Sequence, residues 1–348
     1  MSHTVALSTA GPGAPLKATT IERRTLRADD VLIDIAYAGI CHSDIHQVRE
    51  EWGSAIFPMV PGHEIAGTVS AVGDDVTAYQ VGDRVGVGCL VDSCGECEYC
   101  QQDQEQFCTK GAVQTYNAEG YDGEKTMGGY SQQVVVRDRF VLRIPDGIEL
   151  DVAAPLLCAG ITTYSPLKRW GVGADSKVAV VGMGGLGHVA VKFAVALGAE
   201  VTVLSQTTNK KDDSLRYGAV DHRATSEEST FTDLASTFDV IINTVSANLP
   251  IDSYLSTLKP NGAMVNLGAP SKPHEFNGFS LLAGGKVMAG SMIGGIAQTQ
   301  EMLDVAAEHG IGAEIELIDA EQANEAYDRV VDSDVRYRFV IDTATITP

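Results

Sequence analysis

Cys94-Gly-Glu-Cys97-Glu-Tyr-Cys100, seven further residues and then Cys108 form the densest chemical pattern in the chain, C-x2-C-x2-C-x7-C. Thiolates are soft donors, and four of them close a tetrahedral shell around Zn²⁺. The tight spacing lets successive sulfurs reach one ion. A closed shell leaves no position for a substrate, so the expected role is structural. A bacterial [4Fe–4S] run would have a three-residue last gap and a proline after the last cysteine. Here the gap is seven and Thr109 follows. Four bare thiols this close would be an oxidation hazard.

A second set of donors is dispersed. Cys41-His42-Ser43-Asp44-Ile45-His46 follows a strand candidate, Gly62-His63-Glu64 begins another, and Cys158 lies far downstream before Ala159-Gly160. A lone cysteine beside apolar residues is more often core than ligand. Taken together, Cys, His and Cys are the ligands of one type of catalytic zinc site with an open fourth position.

A third pattern, Gly182-Met-Gly184-Gly185-Leu186-Gly187, is G-x-G-x-x-G. In a chain with 36 glycines it means little alone. It follows the apolar run Lys177 to Val181 and opens a helix candidate. In that context such a turn brings a dinucleotide pyrophosphate against backbone amides at a helix N-terminus. The next strand candidate ends at Leu204, followed by Ser205-Gln-Thr207-Thr-Asn-Lys210-Lys211. An Asp or Glu there would accept the ribose 2′-hydroxyl of NAD and repel a 2′-phosphate. Hydroxyls with a lysine suit the phosphate, so the expected cofactor is NADP(H), held by Ser205, Thr207 and Lys210. The alternative is that the two lysines merely open a solvated helix.

The elements around these patterns change rhythm along the chain. The first ~150 residues read as short β segments with turns, at Val31 to Tyr37, Glu64 to Val72, Val81 to Val87 and Tyr130 to Val136. Strands then alternate with helices: Lys177 to Val181, helix Gly187 to Gly198, Glu200 to Leu204, helix Asn209 to Tyr217, Phe238 to Thr244, helix Ile251 to Leu258, Gly262 to Gly268 and a last strand at Lys286 to Ala289. That order implies an α/β fold with a doubly wound parallel sheet. After Gly290 one helix, Thr299 to His309, and a terminal strand, Tyr337 to Asp342, are expected. This tail is too small to form a domain and should return to the first. The expected domains are 1–152 with 291–348, and 153–290.

Composition bounds the partners. The 348 residues carry 25 Lys and Arg against 46 Asp and Glu, a formal charge of −21. Such a balance excludes a sequence-independent nucleic-acid binder and opposes docking on an anionic membrane. The most apolar stretch, Val178 to Leu204, holds several glycines with His188, Lys192 and Glu200, which suits a β-turn-α-β unit better than a membrane span. Met1 to Pro15 lacks the pattern of a signal peptide, so a reducing cytoplasm is expected.

The motifs together resemble the zinc-dependent medium-chain alcohol dehydrogenase family. The resemblance rests on Gly39-Ile-Cys41-His-Ser43-Asp44, Pro61-Gly-His63-Glu64, the four-cysteine lobe, Cys158-Ala-Gly160-Ile-Thr162 and the glycine turn, in the family's order over nearly the whole chain. Asn243-Thr-Val245-Ser and Gly290-Ser-Met-Ile293-Gly-Gly295 are similar to the NADP-preferring, cinnamyl alcohol dehydrogenase-like branch. The resemblance implies a Rossmann domain plus a β-rich GroES-like catalytic domain, one catalytic and one structural Zn²⁺, and interconversion of primary, often aromatic or allylic, alcohols and aldehydes. It implies Cys41, His63 and Cys158 as ligands of the catalytic zinc. Glu64 would be either a fourth ligand or a close neighbour, and Asp44 would orient the His63 ring. Ser43 would contact the substrate hydroxyl, and His46 would pass the proton outward. It further implies that Thr162, Val245, Gly268 and Ile293 surround the nicotinamide, that Arg338 reaches the pyrophosphate, and that Trp52, Phe57 and Val113 to Tyr116 line the substrate pocket or fill the barrel core. The family also implies a dimer or a tetramer, and a homodimer is expected, with Lys286 to Ala289 as the edge. Cys89 would be a buried thiol outside both zinc shells. Two other functions stay open at this point. A zinc-free quinone or enone reductase would lack one of Cys41, His63 or Cys158. A nucleotide-binding scaffold or sensor would bind cofactor without turnover.

Overall fold

Strand Asp30–Gly39 is the spine of the first of two compact units in this computed structural model, which describes every residue except Met1 and Ser271. Val31, Ile33, Ile35 and Ala38 are buried along it. It pairs antiparallel with Ile65–Val72, with Gln133–Arg137 and, near its end, with Arg338–Asp342. The sheet continues from Ile65–Val72 to Arg84–Val87 and Leu142–Arg143, and from Arg338–Asp342 to Ile315–Asp319. Ser2–Ser8 and Lys17–Arg23 form a separate antiparallel pair. The C-terminal strands Ile315–Asp319 and Arg338–Asp342 are thus part of the sheet of the first unit.

That tail holds more structure than its polarity suggests. Besides the helix Ile296–Glu308 it contains a second one, Ala323–Val331, where the sequence pattern led to the expectation of one helix only. Its buried stripe is just Ala323, Ala326 and Tyr327, too small to stand out among polar neighbours. The helix is a crossover between Ile315–Asp319 and Arg338–Asp342, which run parallel and so cannot be joined by a tight turn.

The first unit comprises the residues up to Cys158 together with Gly294–Pro348. The segment after residue 152 stays with it for a packing reason. A Cβ on Gly86 would lie 2.7 Å from Leu157 Cδ1, and one on Gly88 would lie 2.8 Å from the Leu157 carbonyl. The consequence is functional, because Cys158 sits in the same unit as Cys41 and His63.

The second unit, Ala159–Ile293, is a six-stranded parallel sheet. Its order is Asp221–Ala224, Glu200–Ser205, Lys177–Val181, Phe238–Asn243, Leu258–Asn266, Val287–Gly290. Val178 to Val181 are all buried, as a parallel strand covered on both faces requires. Strand order reverses beside Lys177–Val181, and ligands of such sheets bind past the strand ends at that reversal. The turn starting at Gly182 leaves the sheet there and enters helix Gly187–Ala196.

Candidate active site and metal centres

Cys41 precedes helix His42–Val48, His63 and Glu64 lead into strand Ile65–Val72, and Cys158 ends the turn Ala154–Leu157. These three segments bring one donor atom each from Cys41, His63, Glu64 and Cys158 within 4.8 Å of one another, all buried. The Cys41 and Cys158 sulfurs are 4.0 Å apart. Two thiolates at ~2.3 Å from a tetrahedral zinc are about 3.8 Å apart, so the spacing fits the ion. Glu64 Oε2 is a second sign, being buried without a hydrogen-bond partner. Such an atom is costly unless a cation or donor meets it.

Asp44 organises this set from beneath. It is fully buried, and four donors converge on its carboxylate. Oδ1 accepts from His63 Nδ1 at 3.1 Å and from the Gly62 N–H at 3.1 Å. Oδ2 accepts from the Cys41 N–H at 2.9 Å and from the Tyr130 hydroxyl at 3.0 Å. With Nδ1 committed to Asp44, Nε2 is the nitrogen left for a metal. Burial disfavours a charged His63, yet Asp44 outweighs it and holds this imidazole well above its usual range. The Cys158 contact and, more weakly, Arg338 drive the Cys41 thiol well down, while Cys158 is pushed up. Burial pushes the Glu64 carboxyl up to about 8, against the pull of Arg338.

Arg338, expected at a pyrophosphate, is buried at the start of the last strand with its guanidinium on Glu64. Sequence patterns give no sign of that partner, because 274 residues separate the two. Ser43 Oγ lies 3.5 Å from Cys41 Sγ. His46 pairs through Nδ1 with the Glu51 carboxylate, and its ring stacks between His42 at 4.7 Å and Trp52 at 4.6 Å. Glu51 carries no motif signal, and only the fold after helix His42–Val48 returns it to His46. Trp52 is 50% exposed, so it belongs to the surface rather than the core. Phe57 is half-buried, while Val113, Thr115 and Tyr116 are buried, with Tyr116 stacked 5.8 Å from the His63 ring. Cys89 is half-buried rather than buried, and a hydrogen bond with Cys158 lowers its thiol.

Cys94, Cys97, Cys100 and Cys108 form the other cluster, again with sulfurs within 4.8 Å. Cys97 and Cys100 sulfurs are 3.5 Å apart, and those of Cys94 and Cys100 3.9 Å. The backbone N–H of Cys94 points at Cys108 Sγ and that of Cys97 at Cys94 Sγ, each at 3.4 Å. Backbone hydrogen bonds hold the Cys97 thiol down at about 5, whereas burial pushes Cys100 up to about 11. Four sulfurs and no open carboxylate or histidine define a closed site. Gly95 has φ +72°, and a Cβ there would lie 2.3 Å from Arg139 Nη1. Glycine lets the loop turn beneath that arginine, which bonds Asp92 and the Ser93 carbonyl.

In the second unit two of the motif glycines, Gly182 and Gly187, are required by close packing. Gly182 has φ +91°, and a Cβ would meet Val245 Cγ2 at 2.6 Å. A Cβ on Gly187 would lie 2.1 Å from the Gly182 carbonyl. Gly184 faces open space, with nothing within 4 Å of a Cβ. Gly185 and Leu186 complete the turn, and this open concavity at a helix start is what a pyrophosphate needs. Gly268 abuts the Val245 carbonyl, where a Cβ would come within 2.3 Å. Lys210 Nζ donates to the Met183 carbonyl at 3.1 Å, which puts its charge on the glycine turn. Ser205 is half-buried and Thr207 exposed near it. Thr162 is buried in helix Ala159–Arg169, and Ile293 closes the unit with φ 42°.

Residues 27–146 match the alcohol dehydrogenase GroES-like domain, and residues 185–308 match zinc-binding dehydrogenase. The chain is 64% identical to the probable formaldehyde dehydrogenase AdhA of Bacillus subtilis (strain 168), over 99% of both chains. It is 58% identical to NADP-dependent alcohol dehydrogenase C 1 of Mycolicibacterium smegmatis, again over 99% of both. Among solved structures, a cinnamyl alcohol dehydrogenase of Sorghum bicolor superposes with a TM-score of 0.95 at 43% identity, covering 99% of this chain and 98% of that one. The chain thus belongs to the zinc-dependent medium-chain alcohol dehydrogenase family.

Proposed function

We propose that this protein interconverts primary alcohols and aldehydes with NADP(H), using one catalytic and one structural zinc. The observation that carries the proposal is the buried Cys41–His63–Cys158 set with Glu64, within 4.8 Å and oriented by Asp44. Zn²⁺ bound there supplies Lewis acidity toward the reacting oxygen, and the dinucleotide carries the hydride. Cys41, His63 and Cys158 hold the ion, while Glu64, tied to Arg338, is the fourth group at hand. Ser43 sits beside Cys41 and is the group proposed to take or return the hydroxyl proton. His46, paired with Glu51, is the group proposed to exchange that proton with water, since an imidazole can both take and give a proton. In reduction, an aldehyde, NADPH and one proton give the alcohol and NADP⁺.

Ser205, Thr207 and Lys210 are proposed to hold the 2′-phosphate, and Thr162, Val245, Gly268 and Ile293 to surround the nicotinamide. Trp52, Phe57 and Tyr116 offer aromatic faces, which suits aromatic or allylic substrates. A relative named NADP-dependent alcohol dehydrogenase supports the cofactor choice. NADPH in a cell favours aldehyde reduction as the working direction.

The proposed assembly is a homodimer. Strand Val287–Gly290 is an open sheet edge, Val287 on it is exposed, and so are Phe279, Leu282 and Met292 in the segments that flank it in the sequence. An open edge with an apolar flank is a surface that another strand covers. Among the described residues no helix is long and apolar enough to cross a membrane. All seven cysteines are free, and a reducing cytoplasm is the proposed compartment. The test is loss of 340 nm absorbance with NADPH, or with NADH, across a panel of aldehydes. Turnover with NADPH supports the proposal, and cofactor binding without any turnover would favour a sensor.

A further inference from the structure

One buried imidazole of the second unit takes no part in the hydride or proton path. His222 is 1% exposed on strand Asp221–Ala224, paired beside Glu200–Ser205. Its Nε2 donates to the Thr207 carbonyl at 3.1 Å, and its Nδ1 meets Ser214 Oγ at 2.9 Å. Ser214 is itself buried, in helix Lys211–Arg216. One ring therefore joins three pieces: its own strand, the loop after Ser205, and the helix that follows Lys210. Burial holds this imidazole below its usual range. The Thr207 carbonyl opposes that shift, Lys211 from the facing helix adds to it, and Asp221 on its own strand opposes it. A neutral ring with its proton on Nε2 donates to the Thr207 carbonyl, and the one Ser214 hydroxyl proton is shared between Nδ1 and the Lys211 carbonyl at 2.7 Å.

The same loop carries every residue proposed for the 2′-phosphate. Its start is fixed by the Thr225 N–H on the Ser205 carbonyl at 2.7 Å, and its end by Lys210 on Met183. Gln206 to Asn209 between them are exposed. His222 grips this exposed span from below, at Thr207. Phosphate recognition demands donors placed to within about half an ångström. NADH has no 2′-phosphate, so its binding should depend on this loop less than that of NADPH does.

We propose that His222 is a positioning residue for cofactor choice, holding the Thr207 carbonyl so that Ser205, Thr207 and Lys210 converge on the 2′-phosphate. The proposal rests on the assignment of those three residues to the phosphate. It is tested on the intact zinc-loaded protein by titrating NADPH and NADH, followed by nucleotide fluorescence. Three variants are compared: H222F, which removes both contacts, H222Q, whose amide can reach the Thr207 carbonyl, and K210M. Losing this anchor should weaken NADPH about tenfold, the scale of one net hydrogen bond, and move NADH less than about twofold. H222Q should restore most of the NADPH affinity. S214A, a milder change that keeps the ring, should act in the same direction as H222F and serves if H222F does not fold. If K210M weakens NADPH but the His222 and Ser214 variants change both nucleotides equally, or neither, the role of His222 is overturned. If K210M also leaves NADPH unaffected, the phosphate assignment itself is overturned.

Discussion

His63 Nδ1–H donates a hydrogen bond to Asp44 Oδ1 at 3.1 Å, and this one bond decides which ring nitrogen faces the two thiols. The same carboxylate holds the Cys41 N–H at 2.9 Å, so one side chain orients two ligands. D44N keeps the volume but removes the charge and one acceptor. The expected result is a loss of zinc affinity of about 10- to 100-fold at this site. Competition with a chromogenic chelator measures it, and affinity unchanged from the parent would contradict the role given to Asp44.

The cysteine lobe should come apart without its metal. Structural zinc supplies local folding energy, on the order of 10 kcal/mol. C100S removes a buried sulfur that touches both Cys94 and Cys97. The variant should lose about one zinc per chain, melt at lower temperature and become sensitive to protease between Asp92 and Gln114. A C100S protein with its full zinc and an unchanged melting point would show that the lobe is not a metal site.

Ser205 stands at the end of strand Glu200–Ser205, where an acid would select NAD. S205D places a carboxylate against the 2′-phosphate and offers one to the ribose hydroxyls. The ratio of kcat/KM for NADPH over NADH should fall by about tenfold or more, the scale of a charge-assisted contact turned repulsive. Steady-state rates with both cofactors measure this, and an unmoved ratio would remove Ser205 from the phosphate site.

Phe279 and Leu282, in the helix that precedes the open edge strand in the sequence, are each 74% exposed. Glutamate at both positions should leave the fold intact and shift the protein to monomers in sedimentation or light scattering. A parent that is already monomeric, or a variant that stays dimeric, would contradict this interface.

Much of this molecule was legible in the sequence because periodicity and chemistry coincided. Lys177–Val181 is an apolar run after its first residue, and Gly182 and Gly187 in the turn after it each meet a steric demand. The two donor clusters that the fold brings together were legible in different ways, the four cysteines by their spacing and Cys41, His63 and Cys158 through the family resemblance. What escaped was set by contacts that carry no motif. Glu51 meets His46 locally, just past the end of helix His42–Val48, whereas Arg338 meets Glu64 through the fold alone. The helix Ala323–Val331 buries only two alanines and a tyrosine, too weak a stripe to signal itself. The segment carrying Cys158 joined the first unit through Leu157 packing on Gly86 and Gly88, a fit that no local pattern encodes.

The central claim is that zinc at Cys41, His63 and Cys158 is required for turnover, separately from the zinc of the cysteine lobe. C158S tests it most directly, with zinc content and NADPH-dependent aldehyde reduction measured on the same sample. The parent should hold about two zinc ions per chain and turn over, whereas C158S should stay folded, hold about one and show no turnover. A C158S protein that reduces aldehyde at the parent rate would contradict the account.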